Sequence, residues 1–157
     1  MAVVAHVFPS VDTALLAKLA SLGSSGDTLQ VLLVASTSPA YTWNATSQGH
    51  VHVTNFLAGS GAGALTEVSG GGYSRQTLTS VSASTSGLVT TLTAANPSWT
   101  NSTISATYAA FFDNTIGGTD ATNQLLCYWD FGGTQATTSA TFTLTISGSG
   151  LITWTAS

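Results

Sequence analysis

A chain of 157 residues has room for one domain with its own hydrophobic core, without disulfides or metals to hold it. Only 5% of its residues are charged, against roughly 25% in an average soluble domain, while 43% are hydrophobic; this is not the polar, highly charged composition of a disordered chain. Two basic residues against six acidic ones, net charge −4, argue against nucleic acid and anionic membrane surfaces, both of which need clustered Lys and Arg.

The first residues, Met1 to Phe8, are apolar and alternating, with Val3 and Val7 flanking Ala5 on one face. Residues 1–9 read either as the first strand of the domain or as an extended arm that adds to a neighbour's sheet through main-chain hydrogen bonds. This start lacks the basic n-region of a secretory leader. No run approaches the roughly 20 apolar residues of a membrane span. A helix is expected over 10–22. Ser10 or Asp12 can cap it, Leu15, Leu16, Leu19 and Leu22 recur at helical spacing, and Gly23 ends it. Leu29 to Val34 is short, apolar and β-branched, hence a buried strand.

Residues 35–49 read as a loop holding Pro39, Tyr41 and Trp43, and His50 to Thr54 as a short strand. The Gly- and Ala-rich stretch 58–72 reads as irregular or loosely helical. From Tyr73 onward the pattern is strands and turns, over 77–84, 87–93, 103–112 and 124–131. Within 103–112, Ile104, Ala106, Tyr108, Ala110 and Phe112 share a face. Over 141–146 Phe142, Leu144 and Ile146 alternate with threonines. Gly148 to Gly150 then turns the chain into 151–155, with Ile152 and Trp154 inward, and these last two strands are expected to pair as a hairpin. The sum is a mostly β single domain over 1–157. It is expected to be a β-sandwich or a partly closed barrel of about eight short antiparallel strands with one N-terminal helix.

The strand Leu125 to Phe131 has apolar groups on both sides. Leu125, Cys127, Trp129 and Phe131 lie on one face, Leu126 and Tyr128 on the other. Either it is a central strand covered by the helix, or its second face meets another subunit.

Motifs with chemistry are sparse. Gly59 to Ala64 spells G-x-G-x-x-A, but position 79 is Thr and no acidic residue falls between Glu67 and Asp113, so a small-residue loop is the better reading. His50 and His52 would point the same way from a strand, yet a zinc site needs a third ligand. There is no G-x-S-x-G elbow, and the six acids form no close pair. Asp113 and Asp120 flank a Gly-Gly turn and are expected to cap backbone N–H groups. Cys127 is alone, which rules out an intrachain disulfide. No catalytic residue, cofactor or metal is assigned. The residues expected at an interface are Val3, Val7, Phe8, Trp43, Tyr73, Arg75, Trp99, Leu126 and Tyr128. Trp43 with Tyr41 could alternatively form a sugar-binding platform.

Several segments resemble small virion proteins of tailed actinobacterial phages. The early helix and Leu-Val strand are followed by Gly72-Tyr-Ser-Arg-Gln-Thr-Leu78 and then by Trp99-Thr-Asn-Ser-Thr-Ile-Ser-Ala106. Next come Leu125-Leu-Cys-Tyr-Trp-Asp-Phe-Gly132, a Thr-rich strand and a closing Gly-Leu-Ile-Thr strand. The resemblance spans about residues 10–156. It implies a capsid decoration or minor capsid protein on the outer surface of the virion, assembled in the bacterial cytoplasm. Its implied partners are the phage major capsid protein and further copies of itself, trimers included, with no nucleic acid, membrane or enzymatic role. A tail or tail-fibre domain that binds host-surface glycans is the alternative it implies.

Overall fold

The computed structural model describes residues 4–7 (as backbone), 28–35, 40–43, 49–59, 63–114 and 118–155. In chain order its elements are β1 (Val4–Val7), β2 (Leu29–Val34), α1 (Val53–Leu57), β3 (Gln76–Thr77), β4 (Ser82–Ser86), β5 (Val89–Thr93), β6 (Ser98–Ser102), β7 (Ser105–Asp113), β8 (Gln124–Ala136), β9 (Ala140–Thr143) and β10 (Ile152–Thr155). The chain is mostly β, with antiparallel pairing throughout and a sandwich-like arrangement, as expected. The helix expected over 10–22 lies outside the described residues, as do Val3 and Phe8.

The principal sheet has the order β1-β8-β7-β2-β3. The N-terminal strand pairs with β8 of its own chain, Val4 opposite Asp130 and Val7 opposite Cys127, which is the first-strand arrangement. With β1 on one side and β7 on the other, β8 is central. Both of its faces are buried inside one copy: Leu126 is 5% exposed and Tyr128 1%, as well covered as Leu125 and Cys127 behind them. The continuous apolar run is therefore explained by a central strand, without a second subunit.

β7 and β8 are 9 and 13 residues long, more than the short strands expected, and bulges make that length usable. Phe112 faces Leu125 while Phe111 faces Cys127, so Leu126 is an extra residue. A larger irregularity follows between the pairs Tyr108–Asp130 and Ala106–Gln135. There Gly132 takes φ 67° and donates its N–H to Asp130 Oδ1 at 2.8 Å, closing a local turn. A bulge of this kind bends and twists a ribbon. Past it, β6 and β9 continue the two strands as a separate pair, Ser102 opposite Ala140 and Trp99 opposite Phe142.

The outer edge of β2 is closed by two segments. β3 pairs at Gln30 and Val31. Beyond it Val68 N–H donates to Leu33 O at 2.9 Å and Ala35 N–H to Thr66 O at 2.8 Å. Within 58–72, expected to be irregular or loosely helical, the described residues are irregular and run partly along the edge of β2, because unpaired β2 carbonyls and amides there need partners. His50 to Thr54 is likewise not a strand. His52 forms one isolated bridge with Gln124, and Val53 starts α1. Asn55 Oδ1 accepts the His52 N–H at 2.9 Å, which closes the first turn and favours helix over extension.

The third sheet is β10-β5-β4. β4 and β5 form a tight hairpin with Ser86 opposite Val89. Gly87 at the first central position has φ 60°, and Leu88 follows at negative φ, the signature of a type II′ turn. The hairpin expected between 141–146 and 151–155 is not formed. β9 pairs β6 and β10 pairs β5, Ile152 opposite Leu92. The turn is real, since Gly150 N–H donates to Ser147 O at 2.9 Å, but it carries the chain from one sheet to another. Alternation states which side of a strand is buried and is silent on its neighbour. The alternation itself holds: Phe142 and Leu144 are buried while Thr141, Thr143 and Thr145 are exposed.

Candidate interaction surface

Most residues expected at an interface are used inside the chain. Trp99, on β6, is buried. Its Nε1–H donates to Ser74 O at 2.6 Å, its ring stacks on Tyr73, and its edge meets Phe142. Leu126 and Tyr128 belong to the core, as above. Val7 lies on β1. Trp43 is half-buried, its ring 5.7 Å from that of Tyr128.

Arg75 and Tyr73 form an internal clamp. The Arg75 guanidinium binds Glu67 through Nε (2.9 Å) and Nη2 (2.7 Å), and Asp120 through Nη1 (2.6 Å) and Nη2 (2.9 Å). It also lies 5.5 Å over the Phe112 ring. Tyr73 OH donates to Glu67 Oε1 at 2.7 Å and accepts the Leu33 N–H at 3.0 Å, so one phenol ties the clamp to the edge of β2. The hydrogen bond from Arg75 holds the Asp120 carboxyl below its usual range, against the opposing effect of burial. The hydrogen bonds that Arg75 donates to Asp120 and Glu67 hold its charge still more firmly, and burial pushes the Tyr73 phenol up. Asp120 was expected to cap backbone near the Gly-Gly turn. Instead its carboxylate is bound by Arg75, and its carbonyl accepts Thr54 N–H at the start of α1.

A second cluster gathers under α1. Tyr41 packs against Phe56 and Tyr128, with ring centroids 4.7 and 4.9 Å apart. Its hydroxyl bonds to His50 Nδ1 at 2.9 Å, and its N–H donates to Tyr108 OH at 3.0 Å. Burial lowers the His50 pKa and raises that of the Cys127 thiol. His50 is buried and His52 only partly so, and no strand joins them. No group of three metal-ligating side chains occurs among the described residues. Among the described residues, the buried polar atoms Thr107 Oγ1 and Trp129 Nε1 have no hydrogen-bond partner.

What is presented to solvent lies elsewhere. No Asp, Glu, His, Lys or Arg occurs between Arg75 and Asp113, or after Asp130. β3, β4, β5, β6, β9 and β10 therefore contain no charged residue, and the ion pairs of Arg75 with Glu67 and Asp120 lie outside those strands. The β10-β5-β4 registers place Ser84, Thr91 and Thr153 side by side, as they do Ser82 and Thr93. Leu92 and Ile152 occupy the opposite face and are buried. One side of this sheet is thus a hydroxyl surface interrupted only by Val89. All five residues of β4 are exposed, and at the hairpin tip Leu88 is the one large hydrophobic residue exposed among the described residues, at 67%. A shallow groove of about 240 Å³ between the end of β8 and β9, lined by Gln135, Thr137, Thr141 and Thr143 with Phe131 and Phe142, is also uncharged.

A composition poor in ionic groups and rich in Ser and Thr points to a hydroxyl-rich surface, while the strands that carry it follow from the pairing. No family model, curated protein or solved structure matches the chain.

Proposed function

We propose that this chain is a structural, non-enzymatic subunit of a bacteriophage particle. In this reading it is a decoration or minor capsid protein that docks on the major capsid protein as a homo-oligomer and coats or stiffens the shell. The observation that carries the reading is the charge-free, hydroxyl-coated set of strands. Soluble domains keep themselves apart with mixed surface charge. A surface of Ser and Thr on paired strands buries against a neighbour without leaving an ion unpaired. Each contact contributes about 25 cal/mol per Å² of apolar area, less the cost of association, so shallow contacts hold through repetition over a lattice.

The chemistry-bearing side chains support the same reading. Glu67 and Asp120 are both paired with Arg75, His50 is bound to Tyr41, and Cys127 is buried with its thiol pushed up. The glycan-binding alternative draws less support, because Tyr41 is buried and Trp43 is half covered by Tyr128.

The test is rebinding to shells assembled from the major capsid protein alone, followed by imaging of the decorated particle. Saturable binding at a fixed ratio to shell subunits, with density on the outer head surface, is expected. Density confined to the tail, or no binding to shells that bind whole-particle extracts of the same protein, would sink the proposal.

A further inference from the structure

We propose that β4 is a self-pairing edge, on which a second copy of this chain lays its own β4 antiparallel about a two-fold axis at Ser84. The inference rests on the edge itself and does not depend on the particle in which the chain works.

Among the described residues β4 is the terminal strand of its sheet, paired on one side with β5, and all five of its residues are exposed. In a two-residue hairpin the pair flanking the turn, Ser86 and Val89, exchanges hydrogen bonds, and bonded and non-bonded pairs then alternate. Thr85 and Thr90 are accordingly a non-bonded pair, where side chains lie closest, and their hydroxyls do meet at 3.0 Å. The N–H and C=O groups of Ala83 and Thr85 therefore point away from β5, into solvent. Natural edges of this kind are usually blocked by Lys, Pro, a bulge or a covering loop. β4 reads Ser-Ala-Ser-Thr-Ser and has none of these.

A second copy fits for three reasons. The edge is neutral, so two identical edges meet without like-charge repulsion. A two-fold at Ser84 sets Ala83 opposite Thr85 of the other copy, and both outward-pointing pairs are satisfied reciprocally, the isologous geometry of a closed dimer. The same register brings the Gly87–Leu88 turn of each copy to the Val81 end of the other. That places the exposed Leu88 side chain beside a partly buried apolar residue of the core. The contact is a single short strand pair, so the isolated dimer is weak and concentration-dependent.

Sedimentation of the full chain from low micromolar to millimolar concentration reads this directly. Wild type is expected to pass reversibly from monomer to dimer. Ala83→Pro deletes an outward N–H and leaves the β4–β5 bonds in place, so it stays monomeric with an unchanged far-ultraviolet spectrum. Ser84→Lys and Ser84→Glu each weaken self-association roughly tenfold or more by setting like charges opposite each other, and an equimolar mixture of the two recovers it. The Lys and Glu pair decides the matter if Ala83→Pro fails to fold. A wild type that remains monomeric throughout, or a mixture no more associated than its components, overturns the proposal. Capture of a different protein's strand by β4 in the absence of self-association also overturns it.

Discussion

Arg75 is the only Lys or Arg among the described residues, and it is surrounded by two carboxylates, a phenol that binds one of them, and an aromatic face. Its rarity was legible in the sequence and its role was not. The partners Glu67 and Asp120 are 8 and 45 positions away, and no local pattern joins them. Side chains about a quarter exposed lie between surface pairs, worth about 0–1 kcal/mol, and fully buried ones, whose breakage costs about 3–5 kcal/mol. Arg75→Met leaves two half-buried carboxylates facing each other, and urea unfolding is expected to show a loss of about 2 kcal/mol. His50 gives a pH signature. Burial holds its pKa below the ordinary 6.5, so the native state favours the neutral ring. That contribution is complete above 6.5 and is lost as the pH falls through the folded value. Melting temperature should therefore decline between about pH 7 and pH 5 more steeply in wild type than in His50→Gln, whose side chain does not titrate. Parallel profiles would remove His50 as the cause.

At the scale of elements, the sequence marks most strands by alternation and most turns by glycine. Their assembly was less legible, because pairing is a long-range choice. Two turns make the contrast. Gly150 has φ 80° and looked like a hairpin turn between its flanking strands, yet those strands pair with β6 and β5. Gly87 makes the actual hairpin, and the Gly-x pair flanked by Ser86 and Val89 was the overlooked signal for it. α1 was misread for a related reason. His50 to Thr54 alternates, but five residues of alternation do not exclude a single helical turn closed by Asn55. The central position of β8 was better signalled, since apolar groups on both faces need cover on both. The surroundings of the two glycines also separate their predicted effects. A Cβ at Gly87 meets open space, so Gly87→Ala costs only the positive-φ conformation of the turn, about 1–2 kcal/mol. A Cβ at Gly150 would lie 2.6 Å from Leu92 O and against the Thr91 methyl. Gly150→Ala should cost about 3 kcal/mol, the conformational penalty plus forced displacement of β5. Chemical denaturation ranks the two, and equal losses would contradict the placement of the β10 turn on β5.

Among the described residues the charges are unevenly distributed over the strands. The ion pairs of Arg75 lie beside the starts of α1 and β3, while the strands β3 to β6, β9 and β10 themselves contain no charged residue. The composition announced a shortage of charge. It could not announce where the few charges would gather, because that depends on which strands become neighbours. The sorting separates two demands that a monomer's surface normally meets together, stability of the fold and avoidance of partners. Exposed threonines on β9 and just beyond it, Thr141, Thr143 and Thr145, point away from Phe142 and Leu144. Replacing all three with Lys leaves those buried groups in place, and exposed substitutions of this kind usually change stability by less than about 0.5 kcal/mol each. If the neutral strands exist to be covered by neighbours, the triple variant should fold with near-native unfolding free energy and yet fail to rebind shells that the wild type decorates. Placing the same number of lysines at exposed positions beside the ion pairs should reduce rebinding far less. Denaturation and shell-binding measurements on both variants separate the two demands. Equal loss of rebinding by both would mean that the sorting of charge has no part in assembly.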